Sequence, residues 1–445
     1  RIVGGLAQPF HGGVRLSDNN KILTMKKFQS LALLALITLS LSSCLKDTCK
    51  TKQTYVRYEA VYKTGNELRT ELKVLAPQEI INPGKIYYYD HYLLIGELGK
   101  GIHIIDNARP ESPVNLAFWA FEGNVDIAIH DSQMYLDQYV DLVTFDISNF
   151  LQPREICRRN DIFPTLGFVQ GKGYLVEYKS SEVSQEVDCY QTQGYGNYYY
   201  EGEFLWVDAA FAGSVTNTGT IPSSVVSQST GIAGSYTRFC ILNNFLYGVN
   251  SGNLMPFTLV ENECPVPQVS VPVGWNIETI FPYKTNLYIG STTGVFIFNT
   301  NNPYRPHQIS AFTHVTGCDP VVCANDLAFV TIHNGTTCGG VRNQLDILNI
   351  TDPYAPTVLQ SYNMAYPQGL ATTDQYLYVC DDGFKIYDRS KPSNLKLKKH
   401  ISGLDVTDVI ALGNDLAILV GKYGFFQYNT TDADNPVLLS KIEVK

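Results

Sequence analysis

Six short stretches decide how this chain folds. They are GIHIID (Gly101–Asp106), DLVTFD (Asp141–Asp146), GVFIFN (Gly294–Asn299), QLDILN (Gln344–Asn349), GFKIYD (Gly383–Asp388) and GFFQYN (Gly424–Asn429). Each ends in Asp or Asn, and most open on Gly or a polar residue. β-Branched and aromatic residues fill the space between. A turn segment follows each one, usually with Pro: NARPESP, ISNFLQP, TNNPYRP, ITDPYAP, RSKPSNL and TTDADNP. An Asp or Asn side chain can accept a bond from the backbone two residues on, and Pro presets φ for a turn.

Two shorter strands precede each stretch, as in VDIAIHD and QMYLDQY, or GLATTD and YLYVCDD. A fourth strand follows the turn, as in PVNLAFWAF or PTVLQSY. One unit is therefore four strands in roughly 40 residues, the period of a propeller blade. Two degenerate units fill the gap between residues 160 and 272. One holds LGFVQGKGYLVEYK; the other holds YTRFCILNNFLYGVN and LMPFTL. The expected fold is all-β, a β-propeller of eight four-stranded blades, with seven as the alternative if residues 160–230 do not make a whole blade. A β-sandwich would not repeat its turn chemistry at fixed spacing.

Composition agrees with strands and turns. The 445 residues are 44% hydrophobic and 17% charged, with 29 Tyr, 35 Gly and 21 Pro, which reads as globular rather than disordered. The net charge of −9 disfavours a nucleic-acid partner, because that affinity rests on neutralising phosphates.

The N-terminal region reads as an address. From Met25 the sequence runs MKKFQSLALLALITLSLSSCLKD: a short basic segment, an apolar run from Leu31 to Leu41, then small residues before Cys44. That is the order of an export signal, and the apolar run is short for a membrane span, which needs about 20 residues. Leu41-Ser42-Ser43-Cys44 resembles the lipobox of bacterial lipoproteins. The resemblance implies cleavage before Cys44 and lipid on that residue, anchoring a soluble domain to the membrane. The expected organisation is 1–24 as upstream read-through, 25–43 as signal peptide, 44–77 as lipidated Cys and spacer, and 78–445 as propeller with an insertion at about 180–230. Lys46-Asp47 resembles the export tag of surface lipoproteins in Bacteroidetes-type bacteria. The expected location is the cell envelope, as an outer-membrane lipoprotein facing the periplasm or the cell surface. Arg1–Gly5, RIVGG, resembles the activation site of trypsin-like proteases, but the TAAHC and GDSGGP strings that carry that chemistry do not occur.

The repeats themselves resemble the LVIVD-repeat family of bacterial β-propellers, over residues 78–445. The resemblance implies fold and location and brings no catalytic residues with it.

Candidate sites follow from propeller geometry. The starts of the first strands share one mouth of the central channel, where ligands converge. Aligned, those starts read Lys85, Asp126, Arg238, Glu278, Asp319 and Asp408, with Gly369 in the remaining unit. Such charges can hold a cation or a polar ligand, or serve as a rim that satisfies neighbouring backbone amides. Ten Cys in an exported chain imply disulfides. Cys318 with Cys338 is the preferred pair and Cys157 with Cys189 the second. A metal site from Cys318, Cys323 and Cys338 with His314 or His333 lacks a second C-x₂₋₄-C pair. A nucleophilic cluster of Cys318, His314 and Asp319 is opposed by strand alternation. The insertion QTQGYGNYYYEGEFLW contains Tyr198, Tyr199 and Tyr200, and Tyr among Gly, Asn and Gln suits a recognition surface.

These features point to a membrane-anchored, non-catalytic binding module for a protein or glycan partner, with no metal and no cofactor. The alternative is an envelope hydrolase using Asp126, Glu278, Asp319 or Asp408, which requires one raised carboxyl pKa.

Overall fold

The computed structural model describes residues 50–163, 167–188, 198–201, 232–234, 237–250, 252–274, 277–313, 320–334 and 342–445. The chain divides into two compact units, Glu59–Lys179 with Gly202–Lys445, and Arg1–Tyr58 with Ser180–Glu201. The described residues form eight sheets. Seven are built in chain order within the larger unit, each as an antiparallel meander of four strands. We number them blades 1 to 7, starting at residues 83, 127, 239, 277, 321, 367 and 406.

The six diagnostic stretches are the third strands of blades 1, 2, 4, 5, 6 and 7. Five have the boundaries read from sequence, and the sixth starts at Phe384. In all six the terminal Asp or Asn accepts the backbone N–H two residues on, at 2.8–3.0 Å: Ala108 to Asp106, Ser148 to Asp146, Asn301 to Asn299, Thr351 to Asn349, Ser390 to Asp388 and Thr431 to Asn429. The opening Gly has an equally local cause. Gly101 and Gly294 sit at φ +152° and +148°, and a Cβ there would lie 1.9 Å from Trp119 O and 2.1 Å from Phe312 O. The third and fourth strands approach so closely at this point that a side chain has no space.

Of the eight sheets among the described residues, seven pack in succession as blades. The first strand of blade 2 packs directly against that of blade 3 through Ala128 and Phe239. The hairpin read as a degenerate blade does form, as Phe168–Val169 with Gly173–Asp188. It joins an eighth sheet with Lys50–Lys63 and Tyr198–Glu201, in the order Phe168–Val169, Gly173–Asp188, Lys50–Lys63, Tyr198–Glu201.

The core lies between blades. Six apolar clusters of described residues cover the seven seams, and the cluster around Phe329 and Ile347 spans two of them. Polar bonds then fix how each blade meets the next. Besides the seam between blades 2 and 3, four seams have a side chain of one blade's fourth strand that donates to a carbonyl in the following blade's turn. The bonds are Trp119 Nε1 to Phe150 O (3.0 Å), Ser310 Oγ to Pro353 O (2.6 Å), Tyr362 OH to Pro392 O (3.1 Å) and Ser440 Oγ to Pro110 O (2.5 Å). The last joins blade 7 to blade 1 and closes the ring. Ile80 reinforces that closure by a parallel bridge to Val444, and Lys445 N donates to Ile80 O at 2.9 Å.

The seam between blades 2 and 3 is held differently. Cys157, on the fourth strand of blade 2, is bonded to Cys264, in the turn of blade 3. The expected partner, Cys189, lies outside the described residues, and the observed bond replaces that expectation. The reason is geometric: Cys264 stands in the turn position that meets the preceding blade's fourth strand. Beside it, Arg159 Nε donates to Pro265 O at 3.1 Å. Cys318 and Cys338 lie outside the described residues.

Residues 64–75 fasten the N-terminal segment to blades 1 and 2. Thr64 N and Oγ1 donate to Glu67 Oε2 at 2.7 and 2.8 Å, at the start of the one-turn helix Gly65–Leu68. Arg69 reaches Asp141 through Nε at 2.8 Å and Nη2 at 3.2 Å. Lys73–Leu75 adds a strand to the outer edge of blade 1.

The disulfide closes a loop of sequence separation 107 that contains the whole interruption of the repeat. Cys157→Ser is expected to cost about 2–4 kcal/mol, because a long cross-linked loop removes entropy from the unfolded chain. Chemical denaturation of the oxidised chain and the variant measures it. Equal midpoints would mean that the seam holds without the bond.

Candidate functional site

In a propeller the first strands line the channel, and here their openings are irregular. Pairing with the second strand shifts register between Pro83 and Ile86, Ile277 and Thr279, Pro367 and Leu370, and Val406 and Asp408. The aligned column therefore sits on repeated β-bulges: Lys85, Glu278 and Gly369 lie inside them and Asp408 ends one. Bulges re-aim side chains and end pairing, which suits the rim of a channel.

The structure brings three of the expected residues together, from blades 1, 2 and 3. Lys85 and Asp126 are 7% and 3% exposed and form an ion pair. Asp126 Oδ2 also accepts Arg238 N at 2.6 Å, while Oδ1 accepts Ile127 N at 2.9 Å and Thr237 Oγ1 at 3.2 Å. Burial pulls the Lys85 pKa down, against the attraction of Asp126. Asp408 is placed like Asp126, its Oδ1 accepting Val409 N at 2.8 Å. It explains the Gly in the column, since a Cβ on Gly369 would stand 2.0 Å from Asp408 Oδ1. Asp319 and the side chains of Glu278, Tyr198, Tyr199 and Tyr200 lie outside the described residues.

Three acidic residues that the column missed stand at the ends of second strands. Asp137 Oδ1 accepts Val125 N and Asp126 N, both at 2.8 Å, and Asn124 Nδ2 at 2.9 Å. Asp381 Oδ1 accepts Ala365 N at 2.9 Å and Tyr366 N at 2.6 Å, and its Oδ2 meets Lys385 Nζ at 2.7 Å. Glu97 accepts Asn82 N at 2.8 Å and Ile81 N at 3.1 Å, and lies 3.3 Å from His103 Nε2. Each carboxylate gathers N–H groups of the segment that leads into its own blade's first strand, before the strand ladder begins. The signal was present in the sequence. YLLIGE, QMYLDQ and YLYVCD each carry an acidic residue at or next to the end of an apolar run.

Asp137 differs from the other two. Desolvation in the centre of the ring pushes its pKa up to about 6, with the Asp126 charge adding to the rise and the bonds from Asp126 N and Val125 N opposing it. Cys323, part of the sequence's metal alternative, is packed in the apolar cluster of blades 4 to 6, and burial pushes its thiol pKa up. No group of three or more metal-ligating side chains occurs among the described residues. The crevice beside Lys85, Asp126 and Thr237 is too narrow for a water molecule and is roofed by Ala233 and Gly234.

No protein-family model matches the chain, and a comparison with curated proteins finds no match. Solved structures do match. A protein from Lactobacillus plantarum is 12% identical, with a TM-score of 0.51, covering 81% of this chain and 96% of that one. Hsv2 of Kluyveromyces lactis is 8% identical, with a TM-score of 0.45, covering 82% and 100%. PorZ of Porphyromonas gingivalis, a bacterial surface component of the type-IX secretion system, is 11% identical, with a TM-score of 0.43, covering 82% and 39%. The likeness to the first concerns the propeller fold alone.

A raised carboxyl pKa means that the folded state holds the proton more tightly than the unfolded chain. The stability it lends is complete below about pH 4, the usual Asp range, and is lost as pH rises through about 6. Asp137→Asn keeps an oxygen for the three donors and does not titrate. Its melting temperature should therefore gain on that of the native chain between pH 4 and pH 7.5. Parallel curves for the two proteins would mean that Asp137 titrates as an ordinary surface carboxylate.

Proposed function

We propose that this chain is an exported lipoprotein of the LVIVD-repeat type whose propeller is a non-catalytic binding module for a protein or glycan. The observation that carries this reading is the state of the channel-mouth acids. Asp126, Asp137, Asp381 and Glu97 are each committed to backbone amides, and all but Asp137 also to a basic group or His. A catalytic carboxylate needs a free lone pair or proton facing a substrate; Asp126, Asp381 and Glu97 face the scaffold, and Asp137, with its raised pKa, is the one acid here that meets the hydrolase alternative's requirement. The mouth is built for rigidity, so recognition falls to what the ring displays. The Tyr-rich insertion around Tyr198–Tyr200 is the segment whose composition suits contact.

The anchor is the second part of the proposal. Lipid on Cys44 places the propeller at the cell envelope, on the outer membrane and facing the periplasm or the exterior. The run from Met25 to Cys44 and the oxidised Cys157–Cys264 pair support export. Expressed from Met25 in a Gram-negative host given labelled palmitate, the chain should carry label that Cys44→Ala abolishes. Label retained by the variant would place the acyl chain elsewhere and end the lipobox reading.

A thermal-shift screen of the detergent-solubilised chain against envelope glycans and peptides tests the binding role, since a ligand of the native state raises its melting temperature. The shift should disappear when Tyr198, Tyr199 and Tyr200 are replaced together by Ala. Substrate turnover abolished by Ala at Asp126, Glu278, Asp319 and Asp408 would overturn the non-catalytic reading.

A further inference from the structure

Among the described residues, six of the seven blades leave the inner edge of the first strand unpaired toward the channel. Blade 1 does not. Ile232 and Ala233 pair antiparallel with Tyr88 and Tyr87 on the inner edge of Pro83–Tyr89. They come from the far end of the interruption, remote in the chain from blade 1. Ile232 packs against the apolar cluster of blades 7 and 1, and Ala233 against that of blades 1 and 2. Ala233 and Gly234 also line the crevice that the buried Lys85–Asp126 pair lines.

The contact is specific in place and small in extent. Two paired residues make a marginal strand, and its side chains are a single Ile and a methyl group. Its occupancy rests on being tethered, which gives an internal segment a high effective concentration without strong contacts. The edge that Ile232 and Ala233 occupy is a ready strand acceptor: regular over Tyr87–Tyr89 and beside a charge pair already satisfied within the ring.

We propose that the inner edge of the first strand of blade 1 is a strand-addition site, and that Ile232–Gly234 is its displaceable internal occupant. The external ligand is an extended peptide with a β-branched residue followed by two residues no larger than Ala. The β-branched side chain takes the place of Ile232 between blades 7 and 1. The small pair passes over the crevice at Lys85 and Asp126, where a larger side chain would meet the buried ion pair. Main-chain hydrogen bonds supply affinity and the size limit supplies selection, as in other recognition by strand addition. This inference deepens the binding-module reading by naming a peptide class and a place.

The test uses the solubilised full chain and a fluorescent synthetic peptide with the sequence of residues 230–236. Fluorescence anisotropy measures its affinity for the native chain, Ala233→Pro and Ile232→Ser. Pro at 233 removes a ladder donor, and Ser at 232 removes the apolar contact without constraining the backbone. Release of the internal strand should raise peptide affinity at least tenfold in Ala233→Pro and by a smaller factor in Ile232→Ser. A scrambled peptide should bind neither variant. Equal affinity for all three proteins, equal binding of the scrambled peptide, or no binding to a folded Ile232→Ser would overturn the proposal. Ile232→Ser decides the matter should Ala233→Pro fail to fold. Such a failure would leave standing any thermal shift that depends on Tyr198–Tyr200, so the two readings fail separately.

Discussion

A carbonyl at the turn after the third strand, held by a side chain of the preceding blade, is the contact on which the ring depends. The terminal Asp or Asn bends the chain by capping the N–H two residues on. In four of the five seams that carry this bond, Pro supplies the carbonyl that is offered outward. Each such bond is worth only about 1 kcal/mol net. Its importance is positional, since the apolar clusters supply attraction between blades but little register. A ring also has no terminal repeat to cap, so the last seam must be made like the others. Ser440 does this by binding Pro110 as Ser310 binds Pro353.

Where the pattern lapses, other chemistry takes the same place. Blade 3 has lost the Asp or Asn terminus, ending its third strand in Thr258, and there the Cys157–Cys264 bond and Arg159 join the seam. Blade 7 carries Ala433 where most turns carry Pro. There the Lys398 ammonium on blade 6 meets Asp434 at 2.6 Å. The substitutions argue that the constraint lies in the contact between turn and fourth strand rather than in any one residue type.

Local chemistry made most of the fold legible. The third strands could be bounded from sequence because Gly at one end and Asp or Asn at the other answer to contacts within the same blade. The partner of one hairpin was not legible: LGFVQGKGYLVEYK has the alternation of a blade hairpin and does form one. Its partner strand is Lys50–Lys63, more than a hundred residues earlier, and alternation says nothing about the partner of an edge. The same limit hid Cys264, whose neighbour is set by ring closure rather than by spacing. In the site, Lys85 and Asp126 meet as an ion pair and Asp408 bonds the amide of Val409, contacts that the sequence did not display. Whether a carboxylate faces a ligand or an amide depends on the neighbouring segments that supply the amides, as Arg238 N does for Asp126, and one strand read alone does not display them.

The interruption of the repeat, the disulfide and the strand Ile232–Gly234 belong to one problem. Inserting a long segment between adjacent blades adds loop-closure entropy at their seam, though the added cost grows only slowly with length. The covalent bond spans the interruption from outside, and the pairing with Tyr87 and Tyr88 fixes its returning end from inside. Between those two points the segment can vary in sequence without opening the ring. A propeller secured in this way stays joined across the interruption, while the charged residues of the mouth remain bound to the backbone they support.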